Sequence, residues 1–281
     1  MWSLFVKLWI AGLALFVHPL ASSAPSISLS VPIVQYHHVA RSTSKLDQMW
    51  FVTPEHFEKQ LIYLRDNDFQ TISMAQYDAA LGNNSNVSLP DKSVILTFDD
   101  GYDDAYTQVY PLLKTYHMTG TFYVITGRVG TPGYLTWDQI EEMYKNGMEF
   151  GGHTVTHPFL TQLSIWGELW EIGDSRLVLE AHLNTTISTF AYPYNDHDRL
   201  TTLLPSLAGY ANACIVSYHA GDSENDIYAI PRYPVLSGES LNVFTLVVNR
   251  HQPMILPHRT IRADLPITVT NSLPEPKSLH N

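Results

Sequence analysis

The feature that most constrains this chain is a repeating order: short apolar runs of strand character alternate with longer runs of helical periodicity. "VPIVQY" (31–36) reads as a strand, and "TPEHFEKQLIYLRDN" (53–67) follows as a helix, with Phe57, Leu61 and Leu64 on one face and Thr53-Pro54 at its start. "SVILTF" (93–98), "GTFYVI" (120–125), "MEFGGH" (148–153), "STFAY" (188–192), "ACIVS" (213–217) and "YAIPRYPV" (228–235) are further strand candidates. Helices are expected over 105–117, with a kink or break at Pro111, over 136–147, over roughly 164–183 and over 240–250. In the second of these, Thr136 and Gln139 fit a capping box and Gly147 fits the position just past the end. Strands separated by helices need parallel crossovers, so the fold class is α/β. Six or seven such units in one domain predict a barrel rather than an open sheet.

A length of 281 residues with 45% apolar and 15% charged residues suits one domain with a sizeable core. Residues 1–24 stand apart: Lys7 is their only charge, "LWIAGLALFV" is apolar, and "ASSA" ends in small residues. That pattern predicts a secretory signal peptide cleaved near Ala24, hence an exported protein with no stable membrane span afterwards. Residues 25–250 would form the domain, and the proline-bearing stretch 251–281 a poorly ordered tail. The formal charge of -11 falls to -12 without Lys7 (-11 minus 1). Nucleic acid is a poor partner for so acidic a chain with no basic cluster, and no glycine-rich phosphate loop follows a strand. The single Cys214, in an apolar run, reads as a buried, inert thiol. Asn83, Asn86 and Asn184 begin N-x-Ser/Thr triplets, which arise readily by chance.

Functional groups of a parallel barrel gather at the carboxyl ends of its strands. Here those ends carry His37-His38, Asp99-Asp100, His153 with His157, and Tyr192-Pro-Tyr194-Asn195. Alone, an Asp-Asp pair after a strand is an ordinary turn or cap, and a His pair on a turn is ordinarily solvated. Together they form a set of two histidines and a carboxylate suited to a divalent metal with open positions. The i, i+4 spacing of the histidines suits a shared ligand if the segment turns helically. One carboxylate would bind the cation and the other serve as general base for a bound water, whose pKa zinc lowers to about 7. Asp103 and Asp104 are expected to start the next helix at its positive end.

"TFDDGY" (97–102), "HTVTH" (153–157) and "AYPY" (191–194) resemble the first three motifs of the polysaccharide deacetylase family, also called NodB-homology or carbohydrate esterase family 4. The likeness runs from about residue 31 to 250. "YHHV" (36–39), "TGRVG", "YLTWDQ" and "YAIPRYPV" resemble the branch that deacetylates poly-β-1,6-N-acetylglucosamine.

The resemblance implies a single domain built as a distorted (β/α)7-type barrel. It also implies hydrolytic removal of acetyl groups from an N-acetylglucosamine-containing polysaccharide by a metal-bound water. Asp99 would be the base, and Asp100, His153 and His157 would hold a divalent metal, zinc above all. A backbone amide near Tyr194 would receive the oxyanion, and His37, chosen over His38, would protonate the leaving amine. His38 would then be a core or supporting histidine.

The third motif lacks the arginine that usually orients the base. Arg232 could replace it by pairing with Asp99, or could form an ordinary surface ion pair. Asn195 stands where relatives often carry Gly, and Asn tolerates a left-handed backbone. Thr154 and Thr156 would support the histidine turn, and Trp137 would serve the core or a wall. Acetylxylan or peptidoglycan are alternative substrates, and a catalytically weakened glycan-binding homologue is a further alternative.

Overall fold

The computed structural model describes residues 31–42, 48–81, 88–217 and 226–249. The expected signal peptide, the tail, and the Asn83 and Asn86 triplets lie outside the described residues. In chain order the elements are β1 (Ile33–Tyr36), β2 (His38–Val39), β3 (Phe51–Val52), α1 (Pro54–Asp66), β4 (Gln70–Thr71), α2 (Met74–Leu81) and β5 (Ser93–Phe98). Then come α3 (Tyr110–Thr115), β6 (Thr121–Val124), α4 (Trp137–Lys145), β7 (Glu149–Gly152) and α5 (Ile165–Leu183). The last are β8 (Thr189–Ala191), α6 (Leu204–Leu207), β9 (Asn212–Val216), β10 (Ile230–Pro234) and α7 (Leu241–Val248). No helix among the described residues is long and apolar enough to cross a membrane.

Strands β5, β6, β7, β8, β9, β10 and β1 pair in parallel in that order, and β1 pairs again with β5, so seven strands close into a barrel. The register Ile33↔Ile95 to Tyr36↔Phe98 seals the closure. β4 lies outside the ring, against the start of β5. All six residues of β5 are buried, because helices cover its outer face and the barrel its inner one.

Alternation along the strands divides the core in two. Ile33, Ile95, Tyr123, Ala191, Cys214 and Ile230 belong to one cluster inside the ring. Val34, Leu96, Phe98, Phe122 and Phe190 belong to the larger cluster between strands and helices. Cys214 is buried, as expected, and burial pushes its thiol up to about 11. The two glycines of "FGGH" answer to both clusters. A Cβ on Gly151 would lie 2.6 Å from the Tyr123 ring inside the barrel. One on Gly152 would strike the Tyr210 hydroxyl outside it.

α2, unforeseen in the sequence, closes the lower end of the barrel with Met74 and Tyr77. Glu149, at the start of β7, accepts hydrogen bonds from the Met74 and Ala75 amides at 2.7 and 2.8 Å. An anion thus sits on the helix's positive end.

α4 carries the expected capping box, with both reciprocal bonds between Thr136 and Gln139. Its Trp137 is partly buried and stacks on His182 of α5 at 3.7 Å. Asn184 ends α5 in a left-handed conformation.

The helix expected over 105–117 is a π-turn, Ala105–Val109, running into α3, whose first turn holds Pro111. Proline has no N–H for a regular ladder, and the wider turn absorbs the mismatch.

Candidate active site

β5 ends at Phe98, and the alternation turns the next side chain, Asp99, into the mouth of the barrel. Its amide donates to the Tyr36 carbonyl at 2.9 Å, which ties it to the end of β1. Arg232 reaches it from the middle of β10, where inward residues are buried and outward ones are not.

The contact is bidentate, Nη1 to Oδ1 at 2.6 Å and Nη2 to Oδ2 at 2.8 Å. Arg232 is 1% and Asp99 3% exposed, so this is a buried pair and not a surface one. Gln35 Nε2 donates to Asp99 Oδ2 at 2.5 Å, and Arg232 Nη1 also donates to Thr97 Oγ1 at 3.1 Å. The Arg232 guanidinium in turn lies 4.9 Å over the Tyr123 ring. Burial pushes the Asp99 carboxyl up, but the charges of Arg232 and His153 outweigh it and hold the group below its ordinary value. Asp99 is therefore ionised at neutral pH, and the missing motif arginine does not leave it unpaired.

Asp100 turns the other way, through a left-handed backbone (φ 72°). Its Oδ1 lies 3.3 Å from His153 Nε2 and 3.2 Å from His157 Nε2. Burial works against its charge, yet the two imidazoles hold the carboxyl well below the usual range.

The histidines meet without a helical turn, contrary to the i, i+4 expectation. Thr154 and His157 take left-handed φ values of 65° and 63°, folding the segment into a tight knot. Thr154 Oγ1 accepts from the His157 amide at 3.0 Å. The carboxylate of Glu171, on α5, accepts from the Val155 and Thr156 amides at 2.8 and 2.9 Å and from the Thr156 hydroxyl. The two threonines thus support the turn, and Glu171 is the anchor that the sequence did not reveal.

The donor set fits a divalent cation. His153 Nδ1 is engaged by the Ala191 carbonyl at 2.8 Å, so one proton is fixed there and Nε2 is the nitrogen that would turn to a cation, in exchange for the proton it shares with Asp100. Asp100 Oδ1 is buried with no hydrogen-bond partner. One acceptor per residue, all within 4.8 Å of one another, is the arrangement that an ion of tetrahedral or octahedral preference completes.

The two candidate acids separate just past β1. His37 occupies the bend after the strand, packs on Trp50 with ring centroids 4.3 Å apart, and feels the charges of Asp99, Asp100 and His153. Burial lowers its pKa, and the carboxylates offset this only in part. His38 turns away. Its Nδ1 meets Asp104 Oδ2 at 2.6 Å, and its ring is stacked between Phe51 and Tyr102.

Asp104 stands at the start of the following helix, as expected, but its carboxylate makes no cap hydrogen bond there. His38 offers it a stronger, charge-assisted partner.

Tyr194 is 58% exposed, with a left-handed backbone (φ 56°), and Asn195 follows it at φ 57°. Its ring packs edge-on to His157 at 4.4 Å and flat on Phe159 at 4.2 Å. Asn195 fixes the turn by bonding both polar backbone atoms of Val216. Tyr192, by contrast, is buried, and its hydroxyl donates to the Tyr228 carbonyl.

A family model described as polysaccharide deacetylase matches residues 86–213. The solved structure of the Streptococcus pyogenes deacetylase PplD in complex with acetate is 30% identical, with a TM-score of 0.73. That match covers 79% of this chain and 100% of the other. The poly-β-1,6-N-acetyl-D-glucosamine N-deacetylase of Staphylococcus aureus is 28% identical over 209 residues, 68% of this chain and 70% of that protein. The structure of IcaB from Ammonifex degensii shares the fold with a TM-score of 0.65 at 23% identity, covering 79% of this chain and 98% of the other.

Proposed function

The chain belongs to the polysaccharide deacetylase family of hydrolases, and on that premise we propose that it removes acetyl groups from an N-acetylglucosamine-containing polysaccharide outside the cytoplasm. One observation carries the reading. A base locked by a buried arginine, Asp99 on Arg232 at 2.6 and 2.8 Å, adjoins a triad of metal-ligating atoms.

Asp100, His153 and His157 would hold the metal, and zinc suits their nitrogen-rich donor set. Such an ion supplies Lewis acidity that acidifies a water and polarises the acetyl carbonyl. Asp99, ionised and aimed by Arg232 and Gln35, takes the proton of the attacking water. The water oxygen bonds to the acetyl carbon, and a backbone amide at Tyr194 donates to the carbonyl oxygen as it gains charge. When the carbon–nitrogen bond breaks, His37 gives its proton to the leaving amine. Acetate and a free amino sugar result. The lowered pKa of His37 favours that transfer, and Asp99 and Asp100 favour the imidazolium that precedes it.

The test is acetate release by the purified chain from β-1,6- and β-1,4-linked N-acetylglucosamine oligomers and from acetylxylan, alongside a metal count. The expected result is one divalent ion per chain and turnover of a glucosamine polymer. Asp99→Ala should keep the ion and lose turnover by at least about a thousandfold. A chain that binds no metal, or frees no acetate from any of these polymers, overturns the reading.

A further inference from the structure

A cavity of about 740 Å³ opens at Tyr102, two residues along the chain from Asp100, and its wall includes His38, Phe51, Asp103, Asp104 and Tyr134. That is the size of a pocket for a small organic ligand. We propose that this cavity is a second sugar subsite, which seats the unit next to the one being deacetylated and reads one of its hydroxyls through His38. The proposal rests on the deacetylase reading above.

Three observations support it. The first is that the His38 ring can be approached in only one way. Phe51 stacks on it at 4.1 Å and Tyr102 at 3.7 Å, so both faces are covered. Asp104 occupies Nδ1, and as an acceptor it fixes the proton there. That leaves Nε2 as the ring's remaining polar atom, the one that can exchange a hydrogen bond with a hydroxyl.

The second observation is that the aromatic wall is preformed. Tyr102 and Tyr134 face each other across an antiparallel bridge, with ring centroids 5.2 Å apart. Flanking backbone bonds, from the Asp103 amide to the Gly133 carbonyl (3.0 Å) and from the Leu135 amide to the Gly101 carbonyl (2.9 Å), clamp the two loops. Partly exposed tyrosine rings of this kind suit the C–H face of a pyranose.

The third is continuity. Tyr102 touches His38 on one side and interacts with the Asp100 carboxylate on the other. Tyr102 thus belongs both to the pocket wall and to the surroundings of the triad, the continuity that a polymer spanning the two would need.

The competing role for His38 is structural: with the Val39 amide, it fastens the β2–β3 ribbon to Asp104. His38→Asn separates the two roles. Its amide nitrogen can replace Nδ1 toward Asp104, but nothing replaces Nε2. Tyr134→Ala is an independent probe on a partly exposed side chain.

The substrates are N-acetylglucosamine, its β-1,6-linked dimer and tetramer, and 4-nitrophenyl acetate, which needs no sugar subsite. In the native chain kcat/KM should rise about tenfold or more from monomer to dimer. His38→Asn should lose about tenfold on the dimer through KM, the size of one lost hydrogen bond. Its melting temperature and its nitrophenyl acetate rate should match the native ones, and Tyr134→Ala should behave alike. Dimer binding to the metal-free chain, followed by saturation-transfer NMR, should weaken in both variants.

A native chain with no preference for the dimer overturns the subsite. So do variants with an unchanged dimer-to-monomer ratio, and variants that slow all substrates in parallel. A native chain that cleaves nitrophenyl acetate but no saccharide overturns the deacetylase reading instead, and the subsite falls with it.

Discussion

At the end of β5 two consecutive carboxylates are treated in opposite ways. Asp99 has both oxygens bonded, by the two arms of Arg232 and by Gln35. Asp100 keeps a buried oxygen with no permanently charged partner among the described residues, facing only two imidazole nitrogens at 3.3 and 3.2 Å. The difference separates two kinds of cost. A carboxylate fully paired by the protein is part of the fold, and removing its partner strands a charge. A carboxylate left unpaired among ligating atoms is completed only by something that binds, and its charge is held in place by the surrounding structure.

The largest expected effect breaks the first half of that pair. Arg232→Met should destabilise the chain by about 3–5 kcal/mol, the typical cost of removing one partner from a buried ion pair. Asp100→Asn should cost less than Arg232→Met in the absence of metal, because the carboxylate it removes is held by two imidazoles, which can shed a proton when their partner is lost, and not by a permanently charged guanidinium. Urea unfolding of the three chains, metal-free, measures both. Equal losses in the two variants would erase the distinction between the carboxylates.

The second half is broken by withholding the ion. With free zinc at a hundred times its dissociation constant, the native chain should gain about 2.7 kcal/mol of stability, and a chelator should remove all of it. Asp100→Asn should gain little. Asp99→Asn should keep most of the gain although its turnover is lost, since Asp99 supplies no ligand atom to the triad. Thermal melts with and without zinc give the answer, and a full zinc gain in Asp100→Asn would remove that residue from the metal site.

How much of this was legible in the sequence depends on the range of the interaction. The strand ends can be read from local alternation, so Asp99, Asp100, His153 and His157 are legible as neighbours from the sequence alone, and the structure brings the last three together. Arg232 could be suspected because "IPRYP" places a cation in a strand, but its partner is 133 residues away and pairing at that range leaves no local trace. Gln35 looked like any polar residue in a strand, and nothing local said that it faces inward toward Asp99. Glu171 is hidden for the same reason: it lies in the first half of α5, and nothing local says that its carboxylate turns back to the histidine segment.

The histidine turn was misjudged because spacing alone cannot distinguish a helical turn from one made of left-handed residues. Thr154 and His157 adopt that conformation under tertiary restraint, not by preference. Asp104 does start its helix, as the local rule says, but the partner of its carboxylate, His38, comes from another strand and leaves no local trace.

The smallest effect sharpens the comparison by following the Asp99 half downward. Arg232 rests on the Tyr123 ring, and the Tyr123 hydroxyl pairs with Thr189 Oγ1 at 2.7 Å and lies 3.3 Å from Cys214 Sγ. Tyr123→Phe keeps the ring under the guanidinium and removes only those polar contacts. It should cost about 1 kcal/mol and leave turnover unchanged, because the aim of Asp99 depends on the ring and not on the hydroxyl. Cys214 reports on the same column. Its thiol, pushed up to about 11 by burial, carries almost no thiolate at pH 8, so iodoacetamide should label the native chain only as fast as it unfolds. Labelling should therefore quicken in Arg232→Met in proportion to its lost stability, and barely in Tyr123→Phe. If Tyr123→Phe lowers kcat as much as Arg232→Met does, the base is positioned by the whole column down to Cys214, and the boundary drawn at the arginine is in the wrong place.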